Sequence, residues 1–176
     1  MSQPVFARLR ALLCERGGLM ASLLADEAPA ANGPGPAQLA AAGPRAHARA
    51  EEYELLLEAI YEGYLLHYGV PRVVCPPEPD LGLLAGDQLY ALGLARLVAL
   101  GDLTAVTELA DVITLTALAQ GDGHDELARA VWDAGARAVG WGASEIHRQA
   151  KALVYDQDPD ALDAMRAAAD GGPNPT

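Results

Sequence analysis

The stretch LGLLAGDQLYALGLARLVALGDLTAVTELADVITLTALA, residues 81–119, decides the fold class. Apolar residues recur in it at intervals of three and four and never alternate with polar ones over a strand's length, so it reads as two helices. Asp80 is placed to cap the first, Gly101 to stop it after Leu100, and Asp102 to cap the second at once. A link this short predicts that the two helices are antiparallel neighbours. In the second, Leu103 to Ala119, the residues Val106, Leu109, Ala110, Ile113 and Ala117 share one face, with Thr104, Thr107, Glu108, Asp111 and Thr114 opposite. That is the pattern of a helix on the outside of a bundle. The first is apolar nearly all round but carries Asp87, Gln88 and Arg96, which suits a helix surrounded by other helices and argues against a transmembrane span.

The same spacing extends in both directions. Upstream, a helix from Arg45 to His67 puts Tyr53, Leu56, Leu57, Ile60 and Tyr64 on a stripe that continues to Tyr68. On its other face Glu54, Glu58 and Glu62 stand four apart, a row that reads either as a solvated face or as a docking strip for a basic partner. Gly69-Val70-Pro71 ends this helix, and residues 73–79 form a proline-rich loop. Residues Pro4 to Ala25 form another helix, weakened at Gly17-Gly18, and the Pro- and Gly-rich residues 29–44 read as a loose linker.

Downstream, a loop over 121–125 precedes a helical stretch to Asp156, in which Gly135, Gly140 and Gly142 predict close packing around Trp132 and Trp141. Asp158-Pro159 opens a short helix to Ala169. The expected fold is all-α: an antiparallel bundle of five or six helices in a single domain over residues 1–170, centred on the three helices between 45 and 119, with a disordered tail at 171–176.

Composition narrows the function classes. A chain of 176 residues, 51% of them hydrophobic, can build one compact core. Its 24 acidic and 12 basic residues leave a net charge of −12, which repels phosphate backbones, so no nucleic-acid partner is expected. Cys14 and Cys75 are far apart and no secretory signal precedes them, which predicts buried or idle thiols in a cytoplasmic protein rather than a disulfide or a zinc site. None of His47, His67, His124 and His147 follows a Glu by three residues, as a carboxylate-bridged metal site in a bundle requires. The cluster Asp122, His124, Asp125, Glu126 reads as a polar turn that caps the next helix. Phosphate-binding glycine loops and nucleophile elbows are missing, and Glu145 and His147, two apart on a helix, point in different directions. No catalytic residue, metal or cofactor is predicted.

Residues 83–113, LLAGDQLYALGLARLVALGDLTAVTELADVI, resemble the stretch that follows the first aspartate-rich motif of trans-polyprenyl diphosphate synthases, where L-A-G-D-x-L opens one helix and a second follows a short turn. Gly86 and Asp87 hold the family-motif positions. Residues 58–72, EAIYEGYLLHYGVPR, are similar to the end of that family's helix carrying H-D-D-x-x-D. The family's aspartates bind Mg²⁺ ions that neutralise an allylic diphosphate so that its carbon–oxygen bond can ionise. With the match aligned on His67, the positions of those aspartates are held by Tyr68, Gly69 and Arg72. Laid on the second aspartate segment, GWGASEIHRQAK at 140–151 likewise puts His147, Arg148 and Lys151 where the family has carboxylates.

The resemblance therefore implies an isoprenoid-synthase-like bundle without metal ligands. It implies a non-catalytic polyprenyl-synthase-like subunit acting with a catalytic prenyl diphosphate synthase in isoprenoid biosynthesis, its partner being that synthase or a further copy of the chain. Arg72, Arg148 and Lys151 are placed either to hold a diphosphate directly or to balance nearby acids. Two rivals from other classes stand beside it: a free-standing helical interaction or assembly protein, and a small bundle that holds an apolar chain. A long apolar cavity beside Tyr64 and Tyr68 would point to prenyl or lipid chains, and a packed core with an exposed apolar patch to assembly.

Overall fold

The computed structural model describes residues 4–26 and 34–171, and over these the protein is all-α. In chain order the helices are α1 (Val5–Arg16), α2 (Gly18–Ser22), α3 (Pro36–Ala41), α4 (Ala50–Tyr68), α5 (Pro79–Ala99), α6 (Leu103–Gly121), α7 (Asp125–Trp141), α8 (Glu145–Tyr155) and α9 (Ala161–Asp170), with a 3₁₀ turn at His47–Arg49. Gly17, at φ +67°, separates α1 from α2, the break that the glycine pair predicts.

α4 is the wall shared by two apolar clusters. On one side Leu56, Leu57, Ile60 and Tyr64 pack with Leu109, Val112 and Leu115 of α6 and with Val131 and Trp132 of α7. On the other, Ala59 joins Val5, Phe6, Leu9 and Leu13 of α1 and Leu89 of α5. Leu9 and Leu13 are fully buried, and each stabilises by about 1.5–3 kcal/mol, which holds in place a helix too short to be stable alone.

Helix direction follows from two hydrogen bonds. At their first turns the Tyr53 hydroxyl of α4 donates to Asp102 Oδ2 beside α6 at 2.5 Å, and at their far ends Gln120 Nε2 donates to Tyr64 Oη at 2.8 Å. α4 and α6 thus run parallel, with α5 and α7 returning between their ends. α5 makes its broad contact with α4 and a narrower one with α6, although the short Gly101-Asp102 link makes α5 and α6 neighbours in sequence. Glycine sets the α4–α5 distance: a Cβ on Gly93 would lie 2.3 Å from Ile60 Cγ1, and one on Gly63 3.0 Å from the Gly86 carbonyl oxygen.

Several expectations are corrected. The 29–44 linker contains α3, whose Ala37 and Ala40 are fully buried; the part of it at 29–33 lies outside the described residues. Alanine-sized side chains let α3 approach α7 until Gly43 lies against Gly140, so a run without large apolar residues still packs. α5 begins with Glu78 as cap residue and Pro79 at its first position, leaving Asp80 inside the first turn, where it favours the helix dipole without capping. The single helix expected to reach Asp156 is two, because Gly142 turns the chain at φ +96° and Ser144 caps α8 through the His147 amide. The packing glycines are Gly135, whose Cβ would meet Val112 Cγ2 at 2.1 Å, and Gly140, whose Cβ would meet the Ala40 carbonyl oxygen at 2.6 Å. Of the tail expected at 171–176, Gly171 is the left-handed cap residue that ends α9, and residues 172–176 lie outside the described residues.

Candidate functional site

The acidic row of α4 is neither solvated nor a strip for an outside partner. Glu58 and Glu62 are 2% and 0% exposed, and Arg72, from the loop after α4, reaches both. The Arg72 guanidinium bonds to Glu58 Oε1 and lies over the Phe6 and Tyr61 rings, 4.7 and 5.0 Å from their centroids. Glu62 Oε1 accepts the backbone N–H groups of Arg72, Val73 and Val74 at 2.7, 2.6 and 3.0 Å. Held in this way, the loop pairs with the N-terminal segment: the Ala25 amide donates to the Val73 carbonyl and the Cys75 amide to that of Leu23. Glu54, half-buried, pairs with Arg8 of α1 and accepts from Gln38 of α3. The row therefore ties α1, α3 and the 72–75 loop to α4. Burial pushes the Glu58 carboxyl up to about 7, the nearby Arg72 charge opposing the shift.

A second cluster joins α6 to α8. Glu108, on the face of α6 expected to be solvated, is buried and bonded to His147 Nε2 at 2.8 Å. Lys151 Nζ donates to both oxygens of Glu108, at 3.2 and 3.0 Å, and to Asp111 Oδ2 at 2.7 Å. Burial alone would raise the Glu108 carboxyl, but the hydrogen bonds from His147 and Lys151 outweigh it and hold the group below the usual carboxylate range. Desolvation likewise works against the Lys151 charge, and the Asp111 and Glu108 carboxylates overcome it and raise that amine. Arg148, one residue beyond His147, is exposed and pairs with Glu145 of its own helix at 2.7 Å.

The positions singled out from the motifs fall into two groups. In the first, His67 Nε2 lies 3.1 Å from Asp87 Oδ1, its ring stacked on Tyr90, and Gly86 is small because a Cβ there would lie 2.7 Å from that ring. Tyr68 and Gly69 are exposed at the end of α4. The second group, His147, Arg148 and Lys151, lies on α8. Tyr64 is level with Gln120, and His147 with Glu108, twelve residues back along α6, so the two groups are separated by about 18 Å of helix. They do not converge on a common ligand, and Arg72, Arg148 and Lys151 are each paired with acids of the chain itself.

Four acids that complete these clusters, Glu58, Glu62, Glu108 and Asp111, escape the sequence reading. One signal was present for the first two: Leu55 and Leu66 continue their row three and four residues beyond it, as a buried face would. Among the described residues no group of three or more His, Cys, Asp or Glu is gathered around a space for a metal ion.

Two surface features remain. The side of α5 turned away from α4 exposes Leu83, Leu84 and Val98, and the first residue of α6, Leu103, is 63% exposed. α5 and α6 are also long and apolar enough to cross a membrane by length and composition, a test that core helices of soluble proteins pass as well. A cleft of about 480 Å³ opens between the α6–α7 and α8–α9 turns, lined by Leu118, Leu127, Val154 and Leu162 and by Asp122 and Asp125. Tyr64 and Tyr68 take no part in it. No family model, curated protein or solved structure matches this chain.

Proposed function

We propose that the chain is a non-catalytic helical subunit, isoprenoid-synthase-like in its α4–α5–α6 unit, that acts by seating the outward face of α5 on a catalytic prenyl diphosphate synthase. The observation that carries this reading is the strip Leu84, Gln88, Ala91, Ala95 and Val98, spaced four and three apart, uncharged and exposed along α5. Leu84 and Val98 at its ends are 54% and 52% exposed, an apolar patch of the kind that marks protein contacts. The lack of carboxylates at the motif positions supports a non-catalytic role, because no Mg²⁺-held diphosphate can be ionised without them.

The test is affinity capture of the chain from its native cells, with mass spectrometry of the co-purifying proteins, repeated with Leu84→Glu. Recovery of a synthase with intact aspartate motifs, lost in the variant, is the expected result. Capture of the chain alone or of unrelated proteins overturns it. A second reading, self-assembly, draws on the same strip, which is self-complementary when two copies run antiparallel about Ala91 and bring Leu84 opposite Val98. Light scattering of the purified chain separates the two: a dimer abolished by Leu84→Glu favours self-assembly.

A further inference from the structure

We infer that the cleft between the end of α7, the start of α8 and α9 binds a small carboxylate with an apolar body. This cleft, of about 310 Å³, is lined by Arg137, Ala138, Trp141, Ser144, His147 and Ala168 among others. His147 is 4% exposed, and while its Nε2 is taken by Glu108, its Nδ1 is buried with no hydrogen-bond partner. Buried polar atoms are almost always bonded, so an orphan in a cleft wall calls for an explanation. With Nε2 committed to Glu108, Nδ1 is the ring's one unpartnered polar atom, and a group held in the cleft is the partner it lacks.

Two independent features favour an anion there. Ser144, the cap residue of α8, lines the cleft, so the positive end of that helix's dipole lies beside the space. Arg137, with its guanidinium 5.0 Å above the Trp141 ring, pairs with no carboxylate among the described residues. The acids nearby are already engaged: Glu145 by Arg148 and Gln149, and Glu108, beyond the ring, by Lys151.

The walls select among anions. Ala134, Ala138, Ala168 and the indole of Trp141 offer apolar surface, and a chain of net charge −12 with one guanidinium at the site suits a monoanion better than a dianionic phosphate. A planar or short-chain carboxylate puts its charge on Arg137 and α8 and its body against those walls. The site shares no residue with the α5 strip, so it stands or falls apart from the proposed function.

The experiment uses the whole chain with benzoate as probe, followed by amide NMR shifts of residues 144–147 and by tryptophan fluorescence, with inorganic phosphate as a second arm. Saturable shifts at millimolar benzoate are expected, weakened about tenfold in Arg137→Gln, the effect of one lost charge-assisted hydrogen bond. His147→Gln should weaken binding similarly; because it also frees Glu108, Arg137→Gln, checked for native circular dichroism, is the deciding variant. No saturable shift, or equal affinity in Arg137→Gln, overturns the site. Tighter binding of phosphate than of benzoate overturns the assignment to an apolar carboxylate.

Discussion

Glu58 on α4 and Glu108 on α6 are both buried carboxylates bonded to a basic side chain, yet Glu58 is pushed up to about 7 and Glu108 is held below its usual range. Burial opposes the charge in both places, so the donors decide the sign. Around Glu58, one guanidinium serves two carboxylates, and the three backbone N–H groups of the loop all go to Glu62. Around Glu108, both oxygens receive Lys151 and one also receives the His147 ring, while Asp111 shares the ammonium from a half-buried position. A buried acid stays charged when its own oxygens are saturated with donors, and not merely because a cation is near.

The sharpest way to break this contrast is Arg72→Met. It leaves Glu58 and Glu62 buried without a cation, and a loss of about 3–5 kcal/mol in urea unfolding at pH 7 is expected. The deficit should shrink toward pH 5, where Glu58 takes up a proton; a deficit that does not change with pH would remove Glu58 from the account.

Next in size is the pH dependence of the native chain. The folded-state value of Glu58, about 7, lies above its ordinary 4.5, so its contribution is complete below about pH 4.5 and is lost as pH rises toward 7. That amounts to roughly 3 kcal/mol, and Glu58→Gln should flatten this limb of the stability profile. Glu108 runs the other way: its folded-state value is lowered, so its contribution is present above pH 4.5 and lost as pH falls through the folded-state value.

Lys151→Met tests that second limb. It removes three charge-assisted hydrogen bonds but leaves His147 on Glu108, so a smaller loss of about 1.5–3 kcal/mol is expected at neutral pH, fading in acid as Glu108 is protonated. Arg148→Ala is the smallest change: although it neighbours His147, its partner Glu145 is exposed, and no measurable shift of the unfolding midpoint is expected. A clear loss in that variant would mean that exposed pairs on α8 contribute as buried ones do.

The site was legible only by halves. Arg72, His147 and Lys151 stand out from the sequence as cations or imidazole in unexpected places, but their acids looked like solvated faces. Glu58 and Arg72 are 14 residues apart, and Glu108 and Lys151 are 43 apart. Helical periodicity assigns a residue to a face and says nothing about what covers that face. The same limit hid α3, whose Ala37 and Ala40 carry no apolar signal and become core only because Gly140 of α7 lets α3 approach.

By itself the sequence determined what is settled within about four residues: the all-α class, the break at Gly17, the Gly101 turn at φ +78° and the Asp102 cap, which accepts the Ala105 amide at 3.0 Å. Caps, left-handed glycines and helical spacing act through neighbouring backbone groups, so they can be read locally. The tertiary structure alone decided which acids are buried and with which cations, that the two motif groups lie at opposite ends of α6, and that a helix packs where a linker was expected. Those outcomes depend on desolvation and contact between segments distant in the chain, which no local pattern encodes.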